Sequence, residues 1–428
     1  MRALLVNPWI HDLTVHDRFA FPLGLLNLGA ALRAEGWDVE LCDLLRLPGA
    51  DPAPQIIEKP AAYAHLRRYY RRAGVSPAAA RDWLSARPRP DLVLVTSVMT
   101  YWYPGVAAAV GLVREVFPGA PVVLGGVYAT LMPEHARAAT GADFIAAGDG
   151  FAELPPILSS IGAPSELPAG RPPAWDLYGP LPTAAVQMSR GCFLDCPYCA
   201  SRLLNPRLSR RPPEDAAEEI EKLCRDHGAA DIAFYDDALL AGGDAWLLDI
   251  LASLDRRGRR PGLHAINALH LRGFTPELAR ALWRANFRTI RFGLETADPA
   301  RGEDLGNKAG IEDLTRATDW LREAGYEAGE IGVYLLAGLP GQRPAEVEAG
   351  VRAVLAAGAR PYLTEYSPVP GTALWPAAIA ASPYDIAAEP LFHNNTMLSA
   401  APPEFTPEEM QRLKDMTRAP FRKYEVKG

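Results

Sequence analysis

Between residues 1 and 160, short β-rich runs alternate with longer stretches in which apolar side chains recur every three to four positions. Residues 3–7, 38–42, 91–97, 121–124 and 143–147 are runs of the first kind, and such runs fit strands buried on both faces. Residues 22–35 place leucines at Leu23, Leu25, Leu26, Leu28 and Leu32, a helical stripe that stops at Gly36. Residues 104–117 read as a helix opening on a proline, and the segment before residue 91 as an inserted helical stretch. The pattern predicts a doubly wound, Rossmann-like α/β domain with a parallel sheet. Its ligands would lie at the carboxyl ends of the strands.

Periodicity fades between 162 and 182, where six prolines predict a semi-rigid linker. A second series then begins. Residues 184–188, 231–235, 263–268, 289–294, 331–337 and 362–367 read as strands, with helical runs such as 213–227 and 276–285 between them. Six strand-helix steps predict a complete or partial β/α barrel whose chemistry sits at the strands' carboxyl ends. The expected division is 1–161 for the first domain, 162–182 for the linker, 183–375 for the barrel and 376–428 for a small tail. One helix, 407–424, is expected in that tail.

Composition narrows the function classes. The 428 residues carry 44 basic and 51 acidic side chains, a net charge of −7, which gives no general attraction to nucleic acid or anionic membrane. No apolar stretch is long enough to span a bilayer, and the opening run is too short for a signal peptide. A cytoplasmic protein is expected. Five cysteines are too few for a disulfide framework, yet three fall within eight residues.

Those three lie in Ser189-Arg190-Gly191-Cys192-Phe193-Leu194-Asp195-Cys196-Pro197-Tyr198-Cys199, directly after the first barrel strand. A short loop with Cys192, Cys196 and Cys199 can hold one face of a [4Fe-4S] cube and leave the fourth iron without a protein ligand. An electron-transfer ferredoxin would need a fourth cysteine, and a structural zinc site a fourth ligand, with His227 closest in sequence.

The spacing resembles that of the radical S-adenosylmethionine (SAM) superfamily, over roughly residues 184–375. The resemblance implies that the open iron chelates SAM, which is cleaved reductively to a 5′-deoxyadenosyl radical, with electrons from an external flavodoxin- or ferredoxin-like donor. It implies Tyr198 beside the adenine and Asp236 and Asp237 near the SAM amino group, unless these two cap a helix. Glu295 would serve the ribose or its surroundings, unless it is a surface ion pair. Gly338, in Leu336-Ala337-Gly338-Leu339-Pro340-Gly341, would border the adenine, and Arg190 the cluster or the SAM carboxylate. The segment Ser367-Pro368-Val369-Pro370-Gly371-Thr372 reads as shape, and Asn267 and His270 as structural.

The first domain is similar to cobalamin-binding domains. The residues that carry the likeness are Ser97-Val98-Met99 after the third strand and Gly125-Gly126 after the fourth, with 25 residues between Met99 and Gly125. Thr96 or Ser97 can hydrogen-bond a nucleotide tail lying against the glycines, with Met99, Thr100 and Gly148 bordering the site. A G-x-G-x-x-G fingerprint is missing after the first strand, which disfavours a dinucleotide. The Asp-x-His-x-x-Gly motif of an axial histidine is missing too, which leaves His11 and His16 as weak candidates for the lower face of cobalt.

Together the resemblances imply a cobalamin-dependent radical SAM enzyme. It would abstract hydrogen from an unactivated carbon of a small-molecule substrate and transfer methyl to it. The alternative is a radical SAM enzyme with a cobalamin-free first domain, catalysing rearrangement, cyclisation or transfer of another SAM-derived group. A non-catalytic cobalamin or iron–sulfur carrier is the reading from another class. Arg67, Arg68, Arg71 and Arg72 around Tyr69-Tyr70 read as a solvated helix face, and Phe392-His393-Asn394-Asn395-Thr396 as a possible cover for the barrel mouth.

Overall fold

Residues 1–14, 19–306 and 308–421 are described by the structure, a computed structural model. The chain divides into two units, Met1–Gly179 with Asp385–Asn394, and Pro180–Tyr384 with Asn395–Gly428. His16 lies outside the described residues, as does the end of the helix expected at 407–424; the helix itself is Pro407–Arg418.

The sheet of the first unit runs in the order Asp38–Asp43, Arg2–Asn7, Leu92–Val95, Val122–Leu124, Phe144–Ile145, all parallel. Alternation along each strand feeds two cores. Leu4, Val6, Val93 and Val95 pack on the side of the Tyr103–Val116 helix, and Ala3, Leu5, Leu92 and Leu94 on the side of the Leu23–Ala34 helix. The strand order reverses between Arg2–Asn7 and Leu92–Val95, the switch point at which such sheets take ligands.

Three expectations for this unit change. The arginine-rich stretch is not a helix face: Tyr70–Ala73 is a strand, paired antiparallel with both Ile10–Asp12 and Gln55–Ile57. The segment expected as a semi-rigid linker, 162–182, is anchored near its end, where Trp175 and Tyr178 pack on Phe21 and the Tyr178 hydroxyl donates to Asp43 at 2.5 Å. Asp385–Asn394 belongs here as well, so most of the segment expected over the barrel mouth packs on the first unit. The Tyr63 hydroxyl donates to the Leu391 carbonyl, and Asn394 donates to Asp12.

The second unit has six parallel strands in chain order: Thr183–Val186, Asp231–Phe234, Gly262–Ala265, Phe287–Glu295, Ile331–Ala337 and Arg360–Glu365. The first and last are edges, so this is an open (β/α)6 partial barrel. Its helices are amphipathic. In Pro213–Asp226, Ala216, Ala217, Ile220 and Leu223 face inward, while proline and two acids occupy the first turn, where a helix favours both. Thr275 accepts from the Leu278 N–H and so starts Pro276–Arg284.

Candidate functional sites

The cysteine loop leaves the first barrel strand and is clasped at its base, where Ser189–Arg190 pairs antiparallel with Ser209–Arg210. Arg190 is thereby fixed at the neck, half-buried. Gly191 turns the chain at φ +82°, and a Cβ there would lie 2.7 Å from the Arg207 carbonyl oxygen. Cys192, Cys196 and Cys199 are free thiols. The Leu194 N–H points at the Cys192 sulfur (3.4 Å), the Ser201 N–H at that of Cys199 (3.5 Å), and the Tyr198 hydroxyl bonds Cys196. Burial pushes the Cys192 and Cys196 thiols up, while the Lys308 ammonium draws both down.

This donor set fits an iron–sulfur cluster: three thiols on one short loop, with N–H groups aimed at sulfur. Among the described residues, no three His, Cys, Asp or Glu side chains converge tightly enough for a single metal ion. Cys42 is sealed in the first unit's core and Cys224 lies on the Pro213–Asp226 helix, so neither joins the loop.

The two aspartates after the second strand hold this loop. Asp236, only 2% exposed, accepts from the Ser189 N–H (2.5 Å), the Ser189 hydroxyl (2.6 Å) and the Met188 N–H (3.2 Å). Burial raises its carboxyl to about 6, against the pull of those bonds. Asp237 accepts from the Gly191 N–H (3.3 Å) and the Asn205 amide (3.5 Å). Neither caps a helix; Asp244 precedes the next one. Both are placed as braces of the cysteine loop rather than as open partners for an ammonium. Asn267 donates to the Tyr235 and Asp236 carbonyls and so fixes the same turn.

Further along the strand ends, Glu295 is no surface residue. It is 8% exposed, has φ +68° and accepts from Lys308 at 3.0 Å. His270, 6% exposed, packs edge-on against Phe193, and its Nδ1 has no hydrogen-bond partner. Burial and Lys308 lower it to about 4, which keeps the ring neutral. Gly338 turns at φ +84°, and a Cβ there would meet Leu398 at 2.7 Å. The turn is braced by the buried Gln342, whose carbonyl accepts from the Gly338 and Leu339 N–H groups. After the sixth strand, the Leu374 N–H donates to the Pro197 carbonyl, so this segment props the cysteine loop. Sequence reasoning missed Lys308 and Gln342. The only signal for Lys308 was a lysine shortly after a strand-end glutamate.

In the first unit, the predicted residues lie at the carboxyl ends of the third, fourth and fifth strands, and the Ser97 and Thr100 hydroxyls are engaged within the unit. Ser97, 2% exposed, donates to the Gly125 carbonyl (2.7 Å) and accepts from the Ala129 N–H (3.3 Å). Gly126 has φ +94°, and a Cβ would lie 2.2 Å from the Ser97 carbonyl oxygen, so only glycine fits. Gly125 is roomier, its nearest neighbour being Ala146 at 3.7 Å, and Gly148 turns at φ +142°. The Thr100 hydroxyl pairs with His393 Nδ1 (2.8 Å), whose Nε2 bonds the Ile386 carbonyl (2.6 Å). Burial holds His393 near pKa 4, so Nε2–H donates and Nδ1 accepts. Thr96 is half-buried, while Val98 and Met99 are 45% and 43% exposed, an apolar ledge at the strand ends. Tyr101 is buried. The His11 Nε2 is buried without a partner. A two-glycine cradle beside an apolar ledge at the strand ends fits a large, partly apolar ligand.

Comparison with known proteins matches a family model to part of each unit. Residues 186–354 match the radical SAM superfamily model, and residues 72–156 the B12 binding domain model. An uncharacterized methyltransferase of Pyrococcus horikoshii is 25% identical over 330 residues, 68% of this chain and 70% of the relative. The anaerobic magnesium-protoporphyrin IX monomethyl ester cyclase of Synechocystis is 26% identical over 266 residues, 53% of this chain and 48% of the relative. The fold is similar to that of TsrM, a radical SAM methyltransferase from Kitasatospora setae solved with tryptophan and a SAM analogue. The TM-score is 0.66 at 20% identity, covering 87% of this chain and 75% of that one. It is also similar to OxsB, a cobalamin-dependent SAM radical enzyme solved with aqua-cobalamin and SAM, at TM-score 0.56 and 13% identity over 99% of this chain and 61% of that one. No helix among the described residues is long and apolar enough to cross a membrane. This chain therefore joins a radical SAM domain to a B12-binding domain, and the cofactors that pair of domains implies are a [4Fe-4S] cluster, SAM and cobalamin.

Proposed function

We propose that this enzyme transfers a methyl group to an unactivated carbon of a small-molecule substrate, after hydrogen abstraction by a radical derived from SAM. The observation that carries the reading is the three-thiol loop at the mouth of a partial barrel, on a chain whose other unit is of the B12-binding type. The bound cluster and cobalamin would supply one-electron cleavage of SAM and a transferable methyl group, respectively.

The chain's own residues would do the following. Cys192, Cys196 and Cys199 hold the cluster, and Asp236 and Asp237 keep their loop in register. Tyr198 and the backbone around Gly338 flank the adenine, Glu295 and Arg190 lie in the SAM neighbourhood, and an external one-electron donor protein supplies the reducing electron. In the first unit, Gly125 and Gly126 offer bare backbone to the nucleotide tail. Thr96 would hydrogen-bond it, and Val98 and Met99 would cover the corrin.

The test is anaerobic reconstitution of the full chain with iron, sulfide, hydroxocobalamin and SAM, followed by desalting and product analysis. Retained corrin absorbance together with 5′-deoxyadenosine is the expected result. Deoxyadenosine without retained corrin would favour the cobalamin-free alternative. Replacing Cys196 with alanine should reduce deoxyadenosine to background while corrin retention persists; unchanged turnover in that variant would remove the cluster assignment.

A further inference from the structure

Lys308 lies in the segment after the fourth barrel strand, where no sequence motif marked it. Its side chain is 12% exposed and its partner Glu295 9%, with 3.0 Å between Nζ and Oε1. The same ammonium acts on the Cys192 and Cys196 sulfurs and on the neutral ring of His270. Two residues before it, Gly306 lies against the loop itself: a Cβ there would sit 3.6 Å from the Asp195 carbonyl oxygen and 3.7 Å from the Cys196 Cα.

Such a pair is a poor way to gain stability. Desolvating two charges costs about as much as their attraction returns, and apolar side chains of similar size would serve the fold as well. The backbone is nevertheless bent to make it. The pairing register slips between Gly293 and Glu295, Glu295 takes a left-handed φ of +68°, and a Cβ at Gly293 would fall 2.4 Å from Nζ. Strain held around a buried charge indicates a role in the site rather than in the core.

We propose that Lys308 is the fixed positive charge that eases reduction of the cluster held by Cys192, Cys196 and Cys199, and that Glu295 positions it and moderates its field. This rests on the cluster reading above. With three thiolate ligands, a [4Fe-4S] cube passes from one net negative charge to two when it accepts an electron from the external donor protein, which is thereby oxidised. A cation on the cysteine side stabilises the more negative state, and net charge around a cluster is one of the levers on its potential. Burial works against the lysine's charge, but the Glu295 carboxylate outweighs it and holds the ammonium above its ordinary range. Lys308 is therefore a positioning residue that acts through the field.

The measurement is an EPR-monitored redox titration of the full chain, reconstituted with iron and sulfide and kept free of SAM, with iron content measured alongside. Lys308→Met should shift the midpoint to more negative potential at unchanged iron content, Lys308→Arg should return it close to wild type, and Glu295→Gln should shift it the opposite way. An unmoved midpoint in both Lys308→Met and Glu295→Gln would overturn the inference. If Lys308→Met fails to hold iron, Glu295→Gln decides, and a midpoint that is unchanged or more negative overturns it. Weaker SAM binding by Lys308→Met at an unmoved midpoint would also overturn it, in favour of a SAM-carboxylate contact. A wild-type chain that assembles no cluster would overturn the cluster reading itself and this inference with it.

Discussion

The two sets of strand ends treat their polar side chains in opposite ways. At the B12-type sheet, the hydroxyls of Ser97 and Thr100 are closed onto Gly125 and His393, and what faces outward is glycine backbone and the apolar Val98 and Met99. At the barrel, Asp236 and Asp237 are closed in the same manner, but the strand ends also carry three thiols, the unpartnered His270 Nδ1 and the Lys308 ammonium paired with Glu295. The first arrangement suits a large ligand taken by shape and main-chain contact, and the second a ligand taken by donor atoms and field. Polar bracing is common to both; the barrel adds three thiols and a buried cation.

The sharpest way to break that contrast is to remove a brace. Asp236→Ala strips three buried donors at the neck of the cysteine loop, and should lower the stability of the barrel unit by about 4 kcal/mol and release iron. The loss depends on pH with a definite sign. Because burial raises Asp236 above its unfolded value, to about 6, its contribution is full below the unfolded pKa and declines as pH rises through 6. The gap between wild type and variant, followed by denaturant unfolding, should therefore narrow from pH 5 to pH 8. A gap that widens with pH would mean that the ionised carboxylate is the favoured buried form.

On the other unit, Gly126→Ala forces a Cβ onto the Ser97 carbonyl at an unfavourable φ, at a cost of about 3 kcal/mol. Corrin retention should fall with it, while iron content and deoxyadenosine formation remain. Loss of iron in this variant would show that the two sites are not separately built.

How far these sites could be read from sequence follows from the same contrast. Cys192, Cys196 and Cys199 were legible because their spacing is the chemistry, and most of the parallel strands because they are short, mainly apolar runs such as Leu92–Val95 and Ile331–Ala337. Tyr70–Ala73 was misread because Tyr-Arg-Arg-Ala has neither clean alternation nor a helical stripe; partners as remote as Ile10–Asp12 make it a strand. The roles of Asp236 and Glu295 were legible only as positions. Whether a carboxylate faces a ligand or a main-chain N–H depends on where Ser189 and Lys308 fall, and those contacts are set by tertiary packing. The return of Asp385–Asn394 to the first unit had no local signal, since His393 meets Thr100 across nearly three hundred residues.

The smallest expected effect tests the contrast most closely. If the Ser97 hydroxyl holds the Gly125-Gly126 turn, Ser97→Ala loses one internal hydrogen bond and should cost about 1 kcal/mol in thermal or denaturant unfolding. Corrin affinity, titrated by absorbance, should then change by less than about threefold, because the glycine backbone still presents the same surface. A hydroxyl that contacts the nucleotide tail directly would give the reverse result: stability near wild type and an affinity loss of about tenfold, or 1.4 kcal/mol. In that event Ser97 would belong with the thiols and the cation of the barrel, and the B12-type site would read its ligand through side chains after all.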